Sequence, residues 1–187
     1  MKKLLALTAI TVSCWMSAQG TKVHLQNYTP YILEYNLIKS DQTNASGGCS
    51  PTWEGSSSVT GLMVLNNAPS SSTPVEAFYE SDLNLSNTFN PLYPQTTGID
   101  RWVLDNDYLN PYILPGATIP LSSSNAATSL GFKFGMKDPA TGTNVAGYFP
   151  IGYISCGQSP VLNLTAYTTL ISGTYFTFAD EEWVIFY

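Results

Sequence analysis

The single histidine of the chain, His24, decides most of what chemistry this sequence can attempt. Every Ser-His-acid or Cys-His hydrolase, and every His-ligated zinc site, would have to be built on it. It lies between Val23 and Leu25 in a strand-like stretch and shares its parity with Lys22 and Gln26. A solvated strand position is therefore its expected place. The closest approach to a nucleophile elbow is Gly157-Gln158-Ser159-Pro160, where the proline spoils the strand-to-helix turn an elbow needs. Nucleophilic hydrolysis with a histidine base is set aside.

Paired carboxylates need no histidine, and a carboxylate-based hydrolase stays open through Glu54, Glu76, Glu80, Asp100, Asp105 and Asp107. Glu76 and Glu80 sit four apart on a strand, hence about 13 Å from one another, too far for either glycosidase geometry. Asp105, Asn106, Asp107 and Asn110 gather four oxygen-bearing side chains in six residues, the donor type calcium prefers. EF-hand spacing fails, because Leu109 takes the next ligand position and the required glycine is absent. Asp105 and Asp107 are the candidate metal ligands, calcium the one candidate cofactor. Asp180-Glu181-Glu182 reads as a solvated turn.

Aromatic rings are the richer resource. Phe89, Tyr93, Trp102, Tyr108 and Tyr112 crowd a segment, Asn87–Pro120, that holds five of the twelve prolines. Stiff Pro-rich loops hold such rings at low ordering cost. An apolar body with a polar tip also suits a half-wet site against a sugar or a lipid headgroup. Tyr93, Trp102, Tyr108 and Tyr112 are the candidate ligand-binding residues.

The elements that must position these groups are strands. Tyr31, Leu33, Tyr35 and Leu37 alternate with Glu34 and Asn36; Leu130, Phe132, Phe134 and Met136 alternate with Gly131, Lys133 and Gly135. Further strands are expected over 22–28, 59–66, 75–80, 101–105, 145–156, 161–170, 174–178 and 182–187, with Gly, Pro, Asn, Asp and Ser between them. Residues 40–58 read as a loop, and no segment keeps helical spacing over eleven residues. About ten short strands predict an all-β, antiparallel β-sandwich, with a closed β-barrel as the alternative.

Lys2 and Lys3, the apolar run from Leu4 to Trp15, and Ser17-Ala18 have the form of a secretory signal cleaved after Ala18. The division expected is a signal peptide over 1–18 and one all-β domain over 19–187. A lipoprotein reading of Thr11-Val12-Ser13-Cys14 would instead tether the chain through Cys14. Cleavage removes two lysines and takes the formal charge from −6 to −8. So acidic a surface excludes nucleic acid and anionic headgroups as partners. The two remaining cysteines, Cys49 and Cys156, are expected to form a disulfide in an oxidising compartment, secreted or periplasmic.

Charged residues are only 11% of the chain and aromatics 13%, against a usual charged share of roughly 25%. Disordered chains and charged helical bundles are excluded by that balance. Three function classes remain. An exported, non-catalytic binding module for glycans or a membrane surface leads. A structural or interaction protein of the cell envelope or extracellular matrix follows, then the carboxylate-based hydrolase.

Overall fold

A computed structural model describes residues 21–187. The signal segment, its cleavage after Ala18 and the tether at Cys14 lie outside the described residues. Eleven strands run in order: β1 (Val23–Asn27), β2 (Ile32–Ser40), β3 (Thr52–Ser56), β4 (Met63–Leu65), β5 (Val75–Tyr79), β6 (Arg101–Leu104), β7 (Tyr112–Ile113), β8 (Ser129–Lys137), β9 (Asn144–Gly152), β10 (Gly173–Phe178) and β11 (Glu181–Phe186). One short helix, α1 (Leu121–Ala126), precedes β8.

The strands make two sheets. One has four strands in the order β10-β11-β1-β5; the other has seven, β7-β6-β3-β2-β8-β9, with β4 also pairing with β2. All pairs among the described strands are antiparallel except β1 with β11. The result is an open β-sandwich, as the alternation predicts, and not a closed barrel.

Period-two alternation explains which residues fill it. Leu33, Tyr35, Leu37 and Lys39 of β2 share one parity, and all four are buried, facing Val23, Leu25, Val184 and Phe186 of the smaller sheet within one core. Phe132 and Phe134 follow from their pairing with Leu37 and Tyr35, and Phe134 meets Phe186 at 4.5 Å between ring centroids. Several polar groups inside this core are matched to one another, while the indole N–H of the buried Trp53 has no partner among the described residues. The Tyr35 and Tyr79 hydroxyls share a hydrogen bond of 2.6 Å, and Tyr79 donates to the Thr97 carbonyl. Lys39 Nζ lies 3.7 Å from Glu182 Oε2 and donates to the Thr21 carbonyl at 2.8 Å. Glu182 Oε1 accepts the Leu130 N–H at 3.0 Å and the Tyr175 hydroxyl at 2.7 Å. Burial pulls the Lys39 amine below its usual range, and the Glu182 charge opposes that pull.

Asn27 turns the chain from one sheet to the other. Its side chain is fully buried, accepts from the Thr29 N–H and hydroxyl, and donates to the carbonyls of Tyr31 and Asn66. Cys49 and Cys156 are joined, with Cα atoms 5.5 Å apart, which pins the 41–51 loop to the segment after β9.

Three expectations need correction. The Ser/Gly-rich stretch 40–58 is not all loop: it contains β3, whose Trp53 is wholly buried. Residues 161–170 form no strand; they pair with the sheets through bridges at Val161 and Asn163, bury Leu164 in the core beside Gly173, and otherwise close turns such as Tyr167 N–H to Leu164 O. Glu181 and Glu182 belong to β11, not to a solvated turn; the turn is Ala179-Asp180, both at positive φ, as a two-residue hairpin requires.

Candidate functional site

An open groove of about 630 Å³ lies at the β6–β7 edge of the larger sheet, lined by Leu104, Asp105, Asp107, Asn110, Pro111, Tyr112 and Ala117. β6 ends there in a turn with Asp105 and Asn106 at positive φ, closed by the Asp107 N–H on the Leu104 carbonyl. Asp and Asn tolerate that conformation better than other side chains. Asp107 carries both oxygens within 3.2 Å of Asn110 Nδ2, so a carboxylate and an amide are set side by side on the groove. Tyr112, half-buried, stands edge-on to the buried Trp53 with centroids 5.2 Å apart, which fixes its ring.

Asp105 faces the same groove, but its carboxylate is committed. Oδ1 accepts the Thr52 N–H at 2.8 Å and Oδ2 the Ser50 hydroxyl at 2.6 Å, tying the end of β6 to β3. Asp105 and Asp107 therefore do different work, one tying the turn to β3 and the other paired with Asn110 on the groove wall. Among the described residues no group of three or more His, Cys, Asp or Glu side chains is gathered in one place.

The four candidate aromatic residues do not converge. Trp102 is a core residue, 1% exposed, whose indole N–H donates to Ser86 Oγ at 2.9 Å. It cannot offer a face to a ligand, and its packing is so close that a Cβ on Gly55 would stand 2.8 Å from its ring. Tyr108 is exposed beside the groove but turns its hydroxyl to Glu54 Oε2 at 2.7 Å, and that hydrogen bond raises its phenol above the usual range. Glu54 is filled on its other oxygen by Asn36 Nδ2. Only Tyr112 lines the groove.

Tyr93 belongs to a different surface, the outer face of the four-stranded sheet. There the register places Phe176 opposite Trp183, Trp183 opposite His24, and His24 opposite Phe78, one residue from each strand in a single row. His24 and Trp183 stack at 4.0 Å, Phe78 and Tyr93 at 5.0 Å, and Phe176 lies parallel to Trp183. His24 is consequently 8% exposed and bonded to Glu181 at 2.9 Å, not solvated as its strand parity suggested. Desolvation, with the negative charges of Glu76 and Glu181 behind it, raises the Tyr93 phenol. The signal for this row was present in the sequence: β10 and β11 carry apolar residues on both parities, as in Tyr175-Phe176 and Trp183-Val184-Ile185-Phe186.

No protein-family model, curated protein or solved structure matches this chain.

Proposed function

We propose that the chain is an exported, non-catalytic binding module that takes a neutral glycan in the groove beside β6 and β7. The observation that carries this reading is the pairing of Asp107 with Asn110 next to the fixed ring of Tyr112. A sugar ring has an apolar C–H face and an equatorial belt of hydroxyls. Tyr112, Pro111 and Ala117 offer the first an apolar wall, and Asp107 with Asn110 offers the second an acceptor and a donor. The groove's volume is that of a small-ligand site, and two carboxylates on a chain of net negative charge disfavour an anionic ligand. The acidic surface also speaks against an anionic membrane as the docking partner.

Export is supported by the Cys49–Cys156 bridge. Non-catalysis is supported by the carboxylates a hydrolase would use: Glu54 and Asp105 each have both oxygens bonded to neighbours. A second reading, an envelope interaction protein, is favoured by the aromatic outer face of the smaller sheet.

Co-sedimentation of the mature protein with insoluble polysaccharides and with mixed-lipid liposomes tests the proposal. Selective pelleting with a neutral polysaccharide, unchanged by chelator and abolished in Asp107→Ala, is the expected result. Pelleting with liposomes alone, or glycan binding that survives Asp107→Ala and Tyr112→Ala, contradicts it.

A further inference from the structure

We infer that the outer face of the four-stranded sheet docks a basic peptide segment of a partner protein, seating its cationic side chains between aromatic rings and carboxylates. This surface is separate from the groove, and the inference does not depend on the glycan reading.

The face combines two ingredients. Across its middle runs the row of Phe176, Trp183, His24 and Phe78, continued by Tyr93. On the same parity stand three carboxylates, Glu76 and Glu80 on β5 and its end and Glu181 on β11, against one strong base, Lys22. Aromatic rings beside carboxylates form an environment in which an ammonium or guanidinium group binds well; Glu181 also meets His24 Nε2 at 2.9 Å, and Glu76 accepts from Gln26 Nε2 at 2.6 Å.

Lys22 demonstrates that chemistry within the chain. Its Nζ stands 5.9 Å from the Phe78 ring centroid and 3.9 Å from Glu181 Oε1, while 46% of the side chain remains exposed. It is a resident cation seated between a ring and a carboxylate, held from one side only. Glu80 takes no part in that seat. It borders a cavity of about 210 Å³ with Phe78, Leu85, Phe89 and Pro91, wide enough for an apolar side chain next to an acid. At the two edges of this sheet Phe178 on β10 and Phe89 beside the β5 cavity are 67% and 71% exposed.

Charge complementarity selects the occupant. Three acids to one base call for a partner carrying several positive charges, and the apolar cavity beside Glu80 calls for apolar residues between them. A peptide of alternating basic and apolar character supplies both. A phosphocholine headgroup would bring a phosphate in along with each ammonium, against the same carboxylates.

The test uses fluorescein-labelled hexalysine, a hexaglutamine control and phosphatidylcholine vesicles, each titrated with the mature protein at low and at physiological salt. Hexalysine is expected to bind with an affinity that falls with salt, and the control and the vesicles to remain free. Glu181→Gln and Phe176→Ala should each weaken binding. Lys22→Ala, which vacates the seat, should tighten it by about two- to fivefold, the value of one exposed cation–π contact. Asp107→Asn removes the same charge from the other sheet and should change nothing beyond the general electrostatic background. The inference is overturned if Asp107→Asn weakens hexalysine as much as Glu181→Gln does, if Lys22→Ala fails to tighten it, or if vesicles bind and the peptide does not. Glycan pelleting by the same variants reports on the groove separately, so the two claims fail independently.

Discussion

His24 and Trp183 stack with ring planes 6° apart and centroids 4.0 Å apart, across the parallel pairing of β1 with β11. The first and last strands of the described chain thus lie side by side in the middle of the smaller sheet. A parallel neighbour cannot be reached by a tight turn, so this pairing forms only when segments more than 150 residues apart in sequence have met. The C-terminal strand is a structural member, flanked by β10 on one side and β1 on the other.

Ending the chain at Glu182 should therefore abolish folding rather than trim an end. It removes Val184 and Phe186, 0% and 1% exposed, and strips β1 of a partner. Loss of a cooperative thermal transition by circular dichroism is the expected outcome; a melt at the parent temperature would contradict it. The single change Phe186→Ala should cost about 3–5 kcal/mol in urea unfolding, the usual range for a buried aromatic.

Glu182 is the second point of failure. It holds Lys39, Tyr175 and the Leu130 N–H at one end of the core, and removing it leaves a buried amine without its counter-charge. Glu182→Ala is expected to lose about 3–5 kcal/mol. Glu181→Gln, one residue earlier and facing outward, should cost far less. Chemical denaturation of the two variants side by side decides whether the parity of these neighbours is as described.

Three tyrosines should resist alkali. Burial holds the hydroxyls of Tyr35, Tyr79 and Tyr175 above the ordinary phenol range, with the Glu182 charge adding to Tyr175. Above a pH of about 10 the unfolded chain ionises these groups while the native one keeps its protons. Their contribution to stability is thus complete below that pH and is lost as pH rises. A spectrophotometric titration should show three of the twelve tyrosines ionising only as the fold is lost. Smooth titration of all twelve with the fold intact would contradict the burial.

Trp102→Ala should act on the fold and not on binding. The residue packs against Gly55 and bonds Ser86 in the core, so about 3–5 kcal/mol of stability is at stake. Any loss of ligand should track the unfolded fraction. A folded, stable Trp102→Ala protein that no longer binds would return this residue to the site.

What the sequence could and could not disclose follows from which contacts are local. β8 is legible because its inward Leu130, Phe132, Phe134 and Met136 are large and apolar and its outward residues are Ser, Gly or Lys; β2 keeps that alternation from Leu33 to Leu37 and departs from it at Ile38, outward and apolar, and Lys39, inward and charged. β3 was hidden because Gly55 and Ser56 sit inside it, tolerated where Trp102 and Ile99 fill the space a side chain would take. Residues 161–170 have strand-forming types but meet β9 and β10 only at single bridges, Val161 with Gly152 and Asn163 with Thr174; pairing partners are set by the whole fold. The same distinction governs the site. Asp107, Asn110 and Tyr112 line one groove because they stand within six consecutive residues at a turn. Trp102 was misplaced because Val103 is buried too, so parity alone did not say which of the two faced the core. The aromatic row draws one residue from each of four strands and had no signature except apolar residues on both parities of β10 and β11.

The most direct test of the central claim is a titration of the mature protein with soluble oligosaccharides of whichever neutral polymer pellets it. Groove variants Asp107→Ala and Asn110→Ala would be compared with face variants Phe176→Ala and Glu181→Gln. Loss of one to two hydrogen bonds predicts an affinity lower by roughly tenfold or more in each groove variant, and none in the face variants. Equal binding by all four, or loss confined to the face variants, would contradict the assignment of the glycan to the groove.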